Sequence, residues 1–389
     1  GDTLLNINQV ISNIQKEEQA ADTSASEWTF ELSALDLFNA RFRLRDETKH
    51  LEPEGIDYAN LDISISTLEV TSMELINDTI NLVIHEFISS DRSGFEINHL
   101  SGHFQVSPVF LKSTDLKLHT PNSDLTLDFI FSYSDWNDYA DFIHSVNIDA
   151  SIRPSVLNLS DIGYFAKPLL VMDNELRVGG DFNGTIDNIK GKNFRFAFRD
   201  IWFDGEITLF GLPDIQETFV NLKIDGMEFT MEDIREFALP GDNRHLTISP
   251  TLDILGRIGV DGTFTGFAND FVANGNFRTA LGRFTTDVNL QPEESGIIKY
   301  QGELTAREFN IGKLMGLSEY LGTMNLEAYI DGQGVTEESA IVGMNGNIDS
   351  LEIMGNNYNH VLIAGKFGGK RFNGYVDIFD ELLQLDFNG

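Results

Sequence analysis

His99 and His103 stand four residues apart, a spacing that can place two imidazoles toward one metal ion. Ser101 and Gly102 lie between them and no third ligand is evident, so the pair is assigned no metal. The 61 Asp and Glu residues offer carboxylate pairs of the glycosidase type. With so many acids pairing is inevitable, and no motif singles two out. Asp181-Phe182-Asn183-Gly184 hints at a Ca²⁺ loop but lacks the alternating ligands and terminal Glu. There is no P-loop, no dinucleotide glycine fingerprint and no Gly-x-Ser-x-Gly elbow. The absence of cysteine removes thiol catalysis, thiolate metal sites and disulfides. The residues therefore assign no catalytic site, no metal and no cofactor, and the expectation is a protein that is not an enzyme.

Composition narrows the remaining classes. Lys and Arg number 27 against 61 acids, so the net charge is 27 − 61 = −34 over 389 residues. A nucleic-acid partner is excluded as an expectation, because gripping phosphates needs clustered cations. Electrostatic docking on anionic headgroups is disfavoured for the same reason. Hydrophobic residues make up 41%, enough for a real core. The unusual number is 30 Phe beside 3 Trp and 9 Tyr. No stretch approaches 18 consecutive apolar residues, the length of a bilayer-spanning helix. The start, Gly1-Asp2-Thr3-Leu4, has no signal-peptide pattern and reads as a fragment or processed chain.

Alternation with period two dominates, as in half-buried strands. From Leu252 to Gly266 the even positions carry Leu252, Ile254, Gly256, Ile258, Val260, Gly262, Phe264 and Gly266. The odd positions are largely polar. The same pattern recurs at Leu125–Tyr133, Val146–Ile152, Phe194–Phe198, Val220–Ile224, Ile298–Leu304, Val361–Phe367 and Phe372–Ile378. Helical spacing predicts a lead helix over 3–17, followed by an acidic linker over 17–26, and a short helix over 136–144. Three further short helices are predicted after strand ends, with Ser160, Thr230 and Asn310 as N-caps. Those caps belong to a degenerate repeat. Leu157, Phe229 and Phe309 stand at spacings of 229 − 157 = 72 and 309 − 229 = 80. Gly180–Ile186, Gly262–Phe267 and Gly343–Ile348 form its second marker. The unit is several strands plus one short helix, about 80 residues long.

About twenty stacked strands would make a sheet about 95 Å long at about 4.8 Å per strand. So long a sheet must curl over its apolar face or close on itself. Glycines within the apolar phase, such as Gly256, Gly262, Gly302, Gly365 and Gly374, permit sharp bending. A bent sheet makes a trough, greasy inside and acidic outside. A sandwich or closed parallel β-helix with a self-filled core is the other solution, and periodicity alone leans toward it.

Several segments resemble the TamB branch of the AsmA-like proteins, in the form of Bacteroidetes-type sequences. They are Leu35–Asp46, Ile56–Asp62, Arg92–Ser101, Leu116–Leu125 and the repeat markers around Gly184 and Asp233. The resemblance covers the chain from about Trp28 onward and rests on pattern, with no catalytic signature. It implies an all-β fold, an elongated curled sheet groove or β-taco built from degenerate repeats, with residues 28–156 as its N-terminal part and 157–389 as its continuation. Residues 1–27 would be lead helix and linker. It implies a periplasmic location, phospholipid or fatty-acyl chains as cargo carried toward the outer membrane, and help in outer-membrane protein assembly. It also implies an outer-membrane barrel of the BamA/TamA type as partner and an inner-membrane anchor that this sequence lacks. The expected groove lining is the apolar phase of the clearest strands: Phe129, Phe131, Ile148, Phe196, Leu222, Ile224, Ile258, Val260, Phe264, Phe277 and Ile363. The alternative is a repeat β-protein with a self-filled core, serving as adhesin, stalk or interaction scaffold.

Overall fold

The computed structural model describes residues 30–237, 245, 248–293, 297–334, 340–369 and 371–389. The expected lead helix and linker lie outside the described residues. Strands β1 (Phe30–Arg43), β2 (Asp62–Ile76), β3 (Thr79–Asp91), β4 (Glu96–Val106), β5 (Phe110–His119), β6 (Asp124–Ser132) and β7 (Asn147–Asn158) come first. Next are β8 (Glu175–Thr185), β9 (Asn188–Phe198), β10 (Ile201–Phe210), β11 (Phe219–Phe229), β12 (Ile258–Phe267), β13 (Asp270–Thr279) and β14 (Gly282–Pro292). The chain ends with β15 (Ile298–Asn310), β16 (Leu321–Gln333), β17 (Ile341–Ile353), β18 (Asn356–Gly368), β19 (Arg371–Phe379) and β20 (Gln384–Asn388). Each strand pairs antiparallel with the next, and the first and last do not meet. The fold is therefore all-β, a single open meander of 20 strands curled over its apolar face. Strand β7 crosses the expected division at 156/157, so both parts belong to one sheet.

The curl has a local cause. Every pairing from β2–β3 to β11–β12 contains a register shift. An extra residue on one strand bends it and increases its twist. Repeated on neighbouring strands, these bulges form a crease. Asp115 (φ 54°), Asn193 (φ 50°) and Glu308 (φ 50°) take left-handed backbone at such points. Their placement is supported from the wet face. The Asp115 N–H donates to Asp128 at 2.6 Å, and the Glu308 N–H donates to Asn325 Oδ1 at 2.8 Å.

Short helices confirm the period of the repeat. Helix α1 (Phe142–Ser145) follows a 3₁₀ turn, Trp136–Asp141, between β6 and β7. Helices α2 (Leu159–Gly163), α3 (Met231–Glu236) and α4 (Ile311–Leu314) follow β7, β11 and β15, one every fourth strand. Thr230 caps α3 with a full capping box to Asp233, and Asn310 caps α4. The cap of α2 is Asn158, not the expected Ser160: its side chain accepts from the Ser160 N–H, so the helix starts earlier.

Two more expectations are corrected. The long alternating run does not begin at Leu252. Pro250–Leu255 is a 3₁₀ turn capped by Ser249, with Pro at its start and Gly256 at φ 63° closing it. The strand starts at Ile258, because Pro's fixed φ and the Ser249 cap favour a turn over the alternation that follows. The third repeat marker is out of phase. Gly343 and Gly346 lie in β17, whereas the β16 residues equivalent to Gly262 and Gly266 are Ala328 and Gly332.

Candidate functional site: the apolar trough

Alternation within strands becomes continuous rows once register is known. The crease row uses one residue from every strand. Through β7 it runs Leu35, Val70, Ile84, Gly102, Leu116, Leu127, Ile152. Through β14 it continues Gly180, Phe194, Gly205, Ile224, Gly262, Gly275, Thr286. It ends Leu304, Ala328, Gly346, Ile363, Val376, Phe387. Only Thr286 is polar, and its hydroxyl donates to the Ala273 carbonyl at 3.3 Å. The glycines are demanded by close approach: a Cβ on Gly205 would sit 2.0 Å from the Lys223 carbonyl oxygen, and one on Gly262 2.2 Å from that of Asn274.

The two walls beside the crease differ. On one side a row runs Phe203, Met227, Val260, Phe277, Phe284, Ala306, Leu326, Ile348, Val361 and Ile378, buried throughout except at the half-buried Met227, Phe277 and Phe284. Leu326 is 1% exposed and Val361 0%, although no second sheet covers them among the described residues. Their cover comes from the rim where odd-numbered strands end. Met231 of α3, Leu252 and Leu255 of the 3₁₀ turn, Leu314 of α4, and Leu383 all pack into this cluster. We call this the capped rim.

On the other side two rows are largely half-buried, except where Phe142 of α1 packs on the buried cluster of Leu116, Phe129, Ile148 and Ala150. The first includes Phe104, Phe129, Phe182, Leu222, Phe264 and Met344; the second includes Leu111, Phe131, Leu209, Phe271, Phe367 and Phe372. Phe264 and Phe271 pack at 4.4 Å between ring centroids, and Phe367 and Phe372 at 4.6 Å. Beyond them lies the open rim, formed by the connections from even- to odd-numbered strands. There Ile76, Val109, Trp136, Phe210 and Ile341 are exposed.

All eleven residues chosen from sequence lie on this one face. Phe129, Ile148, Ile258 and Val260 are buried; Phe131, Phe196, Leu222, Ile224, Phe264, Phe277 and Ile363 are half-buried. Ile258, Val260, Phe277 and Phe196 belong to the capped wall, Ile224 and Ile363 to the crease, and Leu222, Phe264, Phe129, Phe131 and Ile148 to the open wall. Phe104, Phe182 and Phe372 were missed as lining. Their alternation was visible, but only register joins them to the rows. Ser113 was also missed: it sits in the open wall between Phe104 and Phe129, is 0% exposed, and its Oγ has no hydrogen-bond partner.

The opposite face is polar and laced with ion pairs. Arg153 bridges Asp115 and Asp128 at 3.0 and 2.8 Å, behind the crease. Arg307 joins Glu327 and Asp349. Arg41, with help from Arg43, holds the Asp62 carboxyl down to about 2. His99 faces His119 across β4–β5 with rings 5.5 Å apart, and its Nε2 pairs with Ser101 Oγ at 2.9 Å. Among the described residues no three His, Asp or Glu side chains gather as metal ligands, and no helix is long and apolar enough to cross a membrane.

No family model matches the chain, and no curated protein or solved structure is detectably similar to it.

Proposed function

We propose that the open wall of this trough is a track for the acyl chains of phospholipids. The observation that carries the proposal is the run of largely half-buried apolar residues across successive strands, interrupted at Ser113 and sealed by Phe142 over β5–β7, with no second sheet above it among the described residues. Moving an acyl chain through water costs about 0.8 kcal/mol per CH₂. For sixteen carbons that is on the order of 10 kcal/mol, and an apolar wall removes most of it. Phe suits such a wall because it adds area without a polar atom to satisfy. The resemblance to the TamB branch points the same way. On this reading the protein works in the periplasm, moving lipid toward the outer membrane or assisting barrel assembly there, with an outer-membrane barrel and an inner-membrane anchor as partners.

The buried capped wall favours a second reading, a self-filled repeat scaffold. Native mass spectrometry with lipid extraction separates the two. Co-purified phospholipid, or saturable uptake of a fluorescent fatty acid, is the expected result. Repeated lipid-free preparations that also exclude the fatty acid would overturn the track and leave the scaffold.

A further inference from the structure

The two rims carry different charge. In the connections of the open rim, Asp78, Asp187, Asp214 and Glu217 stand at turns, and Asp135 and Asp138 in the β6–β7 connection. Among the described residues of those connections the only basic residue is His144, which pairs with Asp141 at 2.6 Å and whose pKa is raised by it. The capped rim is mixed, with Arg45, Arg92, Lys167, Arg235 and Lys313 among its acids. An amphiphile whose chain lies along the open wall leaves its head at the open rim, where helical structure among the described residues is confined to Trp136–Ser145 between β6 and β7, whereas helices follow β7, β11 and β15 at the capped rim.

One stretch of that rim adds aromatic surface. Trp136 is 53% exposed and stacks on Tyr139 at 6.0 Å and 22°. Tyr133 packs on both, at 5.4 and 4.9 Å, and is anchored by its hydroxyl donating to the Ser107 carbonyl. Tyr139 contacts Phe142, which lies edge-on to Phe131 of the open wall. Aromatic surface therefore runs from the wall to the rim without interruption. Asp135, which is exposed, and Asp138, which is half-buried, flank it, each accepting one backbone N–H (Asn137 at 2.7 Å, Ser134 at 2.6 Å), which fixes the loop. An indole face attracts a cation within about 6 Å, more so when carboxylates stand beside it.

From this charge complementarity we infer that the trough selects amphiphiles with an amine- or ammonium-bearing head, zwitterionic phospholipids above all, and that Trp136, Tyr139, Asp135 and Asp138 form a head-group station at the open rim. The inference rests on the acyl-track reading. It is tested by displacing Nile red from the whole chain with three single-chain lipids of equal length: lysophosphatidylethanolamine, lysophosphatidylglycerol and a monoacylglycerol. At low salt the ethanolamine lipid is expected to bind about tenfold more tightly than the glycerol phospholipid, a difference of about 1.4 kcal/mol. Near 1 M salt, where the Debye length is about 3 Å, that preference should fall below about twofold. Asp135→Asn with Asp138→Asn retains the backbone acceptors and should cut the preference at least threefold, leaving monoacylglycerol binding unchanged. The same charge change on the wet face, Asp149→Asn with Asp287→Asn, should not alter it. Equal affinity for the two phospholipids, a preference for the anionic one, or an unaltered preference in the rim variant overturns the inference alone. Failure of all three lipids to displace the dye overturns the track on which it stands.

Discussion

The two walls of the trough make opposite demands on a charge, and one pair of substitutions reads the difference. Val361 is 0% exposed in the capped wall; Phe264 is half-buried in the open wall. In Val361→Asp the carboxyl has no water and no cation to meet. It stays neutral at pH 7 at a cost of about 4 kcal/mol, from an ordinary pKa near 3.9 and 1.36 kcal/mol per pH unit. Losing the valine adds about 1.5 kcal/mol or more. The total is about 5 to 6 kcal/mol, comparable with the whole stability of many domains. In Phe264→Asp the carboxylate can hydrate at the trough surface. The loss is about half of a Phe burial plus its pairing with Phe271, together about 2 to 3 kcal/mol. Because a long strand array need not melt as one unit, the assay is hydrogen exchange resolved along the chain, alongside denaturant unfolding. Val361→Asp should lose protection in β16–β19 under native conditions. Phe264→Asp should keep its fold and lose acyl-chain uptake. Equal destabilisation by both, or a stable Val361→Asp, would refute the division into a packed wall and an open one.

The crease makes its own demand. Gly205→Ala places a Cβ 2.0 Å from a backbone oxygen and should lower stability by about 1 to 3 kcal/mol in denaturant unfolding, whereas Gly179→Ala, whose nearest neighbour is 3.4 Å away, should be neutral or better. Asp62 supplies a pH test: its folded pKa lies below the unfolded value, so its stabilising contribution is present above about pH 4 and lost as pH falls toward 2. Acid unfolding followed by circular dichroism should show that Asp62→Asn removes part of this slope and leaves the neutral side unchanged. Ser113→Ala deletes a hydroxyl that is buried and unpaired, and should raise the denaturant midpoint, by about 1 kcal/mol or more.

Much of the fold was legible because side-chain direction in a strand is a local property. Alternation at Phe129 and Phe131, or at Val260 and Phe264, names the face without knowledge of any partner, and all eleven chosen residues share it. Thr230 and Asn310 were legible as caps for the same reason. What could not be read is which residue of the next strand stands opposite. A bulge shifts that by one and is signalled by nothing stronger than a Ser, Asp, Asn or Glu in a strand. The division into capped and open walls was equally hidden, since it depends on helices from β11 and β15 folding back over residues tens of positions away. Where alternation and turn chemistry conflicted, at Ser249-Pro250, turn chemistry won.

Geometry then sets how far such a sheet can satisfy itself. Each four-strand unit presents about four strand spacings of apolar face, about 19 Å of sheet, and brings back one or two helical turns to cover it. A helix as short as α4, Ile311–Leu314, is only about 6 Å long at 1.5 Å per residue. It reaches from its own rim to the row beside the crease, where Leu326 and Val361 are sealed, and no further. Bulges and glycines fold the remaining wall inward, and Phe–Phe pairs across neighbouring strands shelter the rings from the sides. Neither device covers their outward edges. The half-burial of the open wall therefore follows from a repeat whose helical part is too small for its sheet. The area left over recurs from repeat to repeat and is closed over β5–β7, where Phe142 of α1 packs on Leu116, Phe129, Ile148 and Ala150.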